Sequence, residues 1–273
     1  MRCVTNSILL SGLVMATTFF TATPFADASE PKEIKLARVH FKSKKYARAL
    51  GTLNRYIESK PESKGDLADA YFYRGKTYKA LAKDKLAIID FDECIKLNPK
   101  NVKMRYDRAE LLIDLKQHKK AIDDYRKVVE VYPKEQKYWQ GLALAYRVDG
   151  NIGKAIECYS KVLALNPRHE RAYKDRARMY ELEKKYDLAI KDLTTLIGID
   201  KKHSDIVLSR GNCYFALGRY KEAISDYSLC LSRGHKDVDP YLMRAKAYEK
   251  LGMKKLAEKD RKSAMVDDFE LDY

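Results

Sequence analysis

Ala87, Ala121, Ala155, Ala189, Ala223 and Ala257 follow one another at intervals of 34 residues, and Ala49 precedes the first by 38. A fixed period of this length means that the chain is built from stacked copies of one small unit, each too thin to cover its own apolar faces. Four residues after these alanines stand Leu53, Phe91, Tyr125, Tyr159, Leu193, Tyr227 and finally Arg261. Twelve before them stand Ala37, Gly75, Ala109, Ala143, Ala177, Gly211 and Ala245. Each copy therefore supplies two small residues, where helices can approach closely, and one large residue to fill the space beside them.

The spacing inside a copy is that of helices. Trp139, Leu142, Ala143 and Tyr146 form an i, i+3, i+4, i+7 stripe, and Ala155, Tyr159 and Val162 form its partner. Asp149-Gly150-Asn151 makes the turn between the two, while Pro61, Pro99, Pro133 and Pro167 share one register and stop the second helix. Composition agrees: 45% hydrophobic residues with only 12 Gly and 7 Pro exclude collagen and a disordered chain.

This small/aromatic signature and its period resemble the tetratricopeptide repeat family. The resemblance covers residues 30–271, as units 30–63, 68–101, 102–135, 136–169, 170–203, 204–237 and 238–271. It implies an all-α, right-handed solenoid of seven antiparallel helix pairs, with Gly75, Ala87, Ala121, Ala155, Ala189, Gly211 and Ala223 as stacking residues. The first unit departs from the pattern with His40 at the usual aromatic position and a longer exit, and the last with Arg261, which suits a cap.

A charged pair travels with the repeat. Arg74, Arg108, Arg176, Arg210 and Arg244 each precede the small residue of the first helix, and Asp90, Asp124, Asp192, Asp226 and Asp260 lie 16 residues further on. Units one and four lack both members, carrying Leu36 with Thr52 and Leu142 with Cys158. Joint loss within a unit favours pairing between its own two helices over pairing with the next unit. Arginine's planar fork suits a charge-assisted bond to carboxylate at a partly covered seam, which makes these residues structural.

The amino end differs in composition. Cys3 to Ala26 contains no charged side chain, and Ala26-Asp27-Ala28 supplies a small-x-small pattern, so residues 1–28 read as a secretory signal cleaved after Ala28. The alternative is a retained membrane anchor. The first reading places the protein in the periplasm or outside the cell, with no membrane insertion. Export permits disulfides among Cys94, Cys158, Cys213 and Cys230, but all four fall within apolar helical patterns, and buried thiols are expected.

No P-loop, HExxH, GxSxG or dinucleotide fingerprint occurs, and the five histidines fall at unrelated registers, so no catalytic, metal or cofactor site is expected. In the resembled family the first helices line a concave groove. That register puts Phe72, Tyr106, Arg147, Arg171, Lys174, Arg178, Leu208 and Phe215 on the groove as candidate partner-binding residues. Arg147, Arg171, Lys174 and Arg178 are the sharpest group, with only Glu181 opposing them on the assigned face. With formal charge +15, the expected partner is a protein or peptide bearing acidic groups. The basic residues are spread over many units, which disfavours nucleic acid. The expected role is an interaction scaffold; a polyanion or envelope-polymer binder, or a non-catalytic subunit of an enzyme complex, is the alternative.

Overall fold

The computed structural model describes residues 30–199, 204–233 and 239–270. The signal-like segment 1–28, His203 and His235 lie outside the described residues. The described residues form fourteen helices: α1 (Lys32–Lys42), α2 (Tyr46–Glu58), α3 (Lys64–Ala80), α4 (Asp84–Leu97), α5 (Val102–Asp114), α6 (His118–Val131), α7 (Gln136–Val148), α8 (Ile152–Leu165), α9 (Glu170–Leu182), α10 (Tyr186–Ile199), α11 (Ser204–Ala216), α12 (Tyr220–Ser232), α13 (Asp239–Lys250) and α14 (Lys254–Glu270). They pack as seven consecutive pairs, each second helix also meeting the first helix of the next pair. The result is the expected right-handed all-α solenoid, with no strand among the described residues.

The repeated small residues do what their spacing requires. All six alanines from Ala49 to Ala223 are fully buried, and the large residues four positions on, Leu53, Phe91, Tyr125, Tyr159, Leu193 and Tyr227, are buried against them. Glycine is needed where a ring crosses: a Cβ on Gly211 would lie 2.8 Å from Tyr227 Cε1, and one on Gly75 would lie 3.0 Å from Phe91 Cε1. Each buried ring or aliphatic side chain contributes about 1.5–3 kcal/mol. At the end of the array, Arg261 is half-exposed and ion-paired with Glu249, as a capping position allows.

Within each pair the chain turns through one residue in the left-handed region. Lys44, Ala82, Lys116, Gly150, Lys184, Gly218 and Gly252 occupy this register, with φ between 54° and 83°. The next residue's N–H then reaches the carbonyl five positions back, as from Gln117 to Leu112 at 2.8 Å and from Arg219 to Tyr214 at 2.9 Å. Only three of the seven positions are glycine, so four turns carry a Cβ where it is disfavoured.

The arginines join three helices. Arg74, Arg108, Arg176, Arg210 and Arg244 each donate from Nε and Nη2 to both oxygens of Asp90, Asp124, Asp192, Asp226 and Asp260, at 2.7–2.8 Å. The remaining Nη1 donates to the second helix of the preceding unit: to Asn54 at 3.0 Å, Asp92 at 2.5 Å, Ser160 at 2.8 Å, Thr194 at 3.1 Å and Ser228 at 2.8 Å. Ser160 and Ser228 spend their own hydroxyl protons on the carbonyls of Ile156 and Ile224, which leaves their lone pairs toward the arginine. The expected pairing within each unit is thus what the structure shows, and the arginine has one further contact. Aspartate serves its own unit, and the third donor ties that unit to its neighbour.

The seam between units three and four is held differently. Unit four has Leu142 and Cys158 instead of the pair, and there one apolar cluster runs without a break from Val102 through Tyr125, Leu142 and Tyr159 to Met179. Cys94, Cys158 and Cys213 are buried free thiols. Burial pushes the thiols of Cys158 and Cys213 up to about 12, so they stay protonated and unreactive. Cys213 faces Glu181, while the buried Cys230 donates to the Ser204 carbonyl at 3.4 Å.

Candidate functional site: a pocket over the fourth unit

A pocket of about 620 Å³ lies over unit four, bounded by α3, α5, α7 and α9. Its floor is aromatic. Tyr125 and Tyr159 rise from the second helices of units three and four, and Tyr106 of α5 meets Tyr125 edge-on with centroids 5.7 Å apart. Tyr125 reaches the groove because α7 has Gly141 beside it: a Cβ there would lie 2.5 Å from Tyr125 Cε1. The notch therefore depends on a helical glycine.

The floor presents neutral phenols. Burial, reinforced by Glu110, raises Tyr106 and Tyr125 well above the ordinary tyrosine value. Burial and the Asp175 carboxylate push Tyr159 up to about 12. The three tyrosines belong to or pack against the apolar cluster of units three to five, so the floor is built before any occupant arrives.

The rim carries both signs of charge. Lys79, Lys137, Arg147 and Arg171 line the pocket with Glu110, Asp114 and Asp175. Two of the cations are engaged: Lys79 pairs with Glu110 at 3.0 Å, and Arg171 lies 3.8 Å from Asp175. The other two have no carboxylate partner among the described residues. Lys137 stacks over the Tyr138 ring at 4.7 Å, and Arg147 has a buried Nε without an acceptor. His169 caps α9, where its Nδ1 accepts the Ala172 N–H at 3.1 Å, and its Nε2 faces the Gln140 amide.

Of the eight candidate residues, Tyr106, Arg147 and Arg171 line this pocket. Lys174 and Arg178 lie on the same helix outside it, and Lys174 is ion-paired with Asp205 at 2.7 Å. The basic group is therefore opposed by Asp175 and Asp205 as well as by Glu181, which corrects the picture of a nearly unopposed cluster. Phe72 is only 6% exposed: its ring packs on Phe91, and Lys76 Nζ covers it at 5.3 Å. Leu208 and Phe215 are half-buried on the Tyr227 cluster at the sixth unit. Gly141, Tyr125 and Tyr159 were not among the candidates. Glycine at a position where other units carry Tyr73, Asp107 or Asp175 is the signal that points to them.

Among the described residues no group of three or more His, Cys, Asp or Glu side chains could hold a metal ion, and no helix is long and apolar enough to cross a membrane. The fold is that of a tetratricopeptide-like helical solenoid. Family models for anaphase-promoting complex, cyclosome, subunit 3 and for the bacterial transcriptional activator domain match residues 148–228 and 68–169. Among solved structures, a tetratricopeptide repeat protein from Parabacteroides merdae has a TM-score of 0.59 at 20% identity, covering 86% of this chain and 91% of its own. YrrB, described as a TPR protein with an unusual peptide-binding site, has a TM-score of 0.58 at 20% identity, covering 64% of this chain and 88% of its own. MamA from Desulfovibrio magneticus RS-1, residue 41 to the end, has a TM-score of 0.56 at 21% identity, covering 63% of this chain and 98% of its own. At these identities the likeness is one of fold. No curated protein matches the sequence.

Proposed function

We propose that the protein is a non-catalytic interaction scaffold whose concave face holds a peptide segment of a partner, with the pocket over unit four as its anchoring point. The observation that carries this reading is the conjunction of a preformed tyrosine floor with two cations, Lys137 and Arg147, that no carboxylate neutralises among the described residues. An aromatic or aliphatic side chain packs in the pocket on the tyrosine floor, and an acidic group beside it answers the cations. The peptide-binding site in YrrB's description supports the use of such a groove. Glu110, Asp114 and Asp175 on the same rim disfavour a continuous polyanion, which would meet them at regular intervals. The uncharged run and small-x-small pattern in residues 1–28 support a place of action outside the cytoplasm.

The test is quantitative binding to a partner recovered from the envelope or secreted fraction, measured over a salt series. Lys137→Glu with Arg147→Glu should weaken binding at least tenfold at low salt and flatten its salt dependence. Arg171→Glu with Lys174→Glu should do less, because both cations already face carboxylates. Lys161→Glu, exposed on α8, is the control. Affinity unchanged by the first pair would reject the pocket as the recognition site.

A further inference from the structure

Resting on that reading, we propose that the pocket over unit four takes the acidic segment 266–273 of a second copy of this chain, joining copies head to tail. The segment reads Val266-Asp267-Asp268-Phe269-Glu270-Leu271-Asp272-Tyr273, with four acids, two aromatic residues and no base. No eight-residue window elsewhere in the chain carries four acids and no base. In a chain of formal charge +15 this is the concentrated counter-charge to a basic surface.

The match is in chemistry. Phe269 lies between Asp268 and Glu270, an aromatic ring flanked by carboxylates. The pocket offers the converse arrangement: a notch floored by Tyr106, Tyr125 and Tyr159, with Lys137 and Arg147 at its rim lacking carboxylate partners among the described residues. A carboxylate at the rim supplies the acceptor that the buried Arg147 Nε lacks.

The segment comes from another copy because its own chain is too short to bring it back. α14 packs on α13, in the seventh unit, while the pocket centres on α7 in the fourth. Residues 266–270 form the end of α14, and even with that end unwound a stretch of eight residues spans at most about 28 Å. Crossing three inner helices at about 9 Å each uses all of that and leaves nothing for the reversal. The contact uses different surfaces on the two copies, so it is heterologous and extends to chains of copies unless the rotation closes a ring.

The experiment uses the full chain and two variants: a tail variant with Asp267→Asn, Asp268→Asn, Glu270→Gln and Asp272→Asn, and a pocket variant with Arg147→Gln and Lys137→Gln. Sedimentation should show the wild type assembling beyond the dimer as concentration rises, and each variant alone as a monomer. Mixed, the variants should form a one-to-one dimer and stop, because one retains the only intact pocket and the other the only intact segment. That result also shows that neither variant has lost its fold. A labelled peptide of residues 264–273 should bind the tail variant and lose about tenfold affinity for the pocket variant. A wild type that stays monomeric at all concentrations, or variants that fail to complement, overturns the proposal. If the peptide fails while binding of the native partner still responds to Arg147, the self-segment falls and the scaffold reading stands. If neither responds, both fall.

Discussion

At the scale of single residues, the five arginines show how a charged pair can be structural. Asp226 has a side chain only 6% exposed, and Arg210 16%, so neither charge has much water to fall back on. Burial works against the Arg210 guanidinium, but the fork to Asp226 outweighs it and raises its pKa. Asp226→Ala should therefore cost about 3 kcal/mol in urea denaturation, above the range of exposed pairs, since it strands a buried cation. A double-mutant cycle with Arg210→Ala should return a coupling of about 1–3 kcal/mol, and additive losses would show that the pair is incidental. Glycines divide by what a Cβ would meet. Gly211→Ala drives a methyl into Tyr227 and should destabilise by about 1–3 kcal/mol. Gly51→Ala, exposed in α2 with nothing within 4 Å, should stabilise by about 1 kcal/mol, which thermal unfolding can read. Asp69 gives a pH signature. Burial, with Asp66 and Glu30 nearby, lifts it to about 6, so the folded state holds its proton longer than the unfolded chain. Its ionisation then lowers stability as pH rises from about 4 to 6. Asp69→Asn should remove that decline while leaving stability near pH 3.5 unchanged; an unaltered pH profile would exclude Asp69 as its source.

Among elements, the helix pairs and their registers were legible because the period repeats small, aromatic and proline positions with the same spacing. The within-unit Arg–Asp bond was legible for a related reason: Leu142 and Cys158 lose both partners together. Its third contact escaped notice because the acceptor has no fixed identity, being Asn54, Asp92, Ser160, Thr194 or Ser228. What the sequence does carry is the converse. Where no arginine follows in the next unit, the same register holds Arg126 and Lys262. Phe72 was placed on the groove by register alone, yet a large apolar side chain lowers its energy by turning into the seam against Phe91. The pocket was hidden because its decisive residue, Gly141, contributes no side chain, and its floor tyrosines read as core. The turns also escaped sequence reading where lysine or alanine replaces glycine. Lys184, at φ 57°, should accept glycine with a net gain of about 0.5–1 kcal/mol, the relief of left-handed strain exceeding the added freedom of the unfolded chain. Gly218→Ala, the reverse change at the same register, should lose a similar amount. A loss from Lys184→Gly in the same denaturation assay would show that strain does not govern this turn.

For the whole molecule, the solenoid changes character along its length. Bidentate arginines clip units one to three and four to seven across their seams, whereas a continuous apolar cluster joins units three to five beneath the pocket. A recognition surface gains from this arrangement, because a floor fixed by packing loses little conformational freedom when it is covered. The central claim is that recognition takes place on the concave face over unit four. Amide hydrogen exchange of the full chain with and without saturating partner tests it most directly. New protection should concentrate in α5, α7 and α9 around Tyr106, Gly141 and Arg171, with the outer helices α6, α8 and α10 little changed. Protection confined to those outer helices, or spread evenly over all the units, would contradict the account.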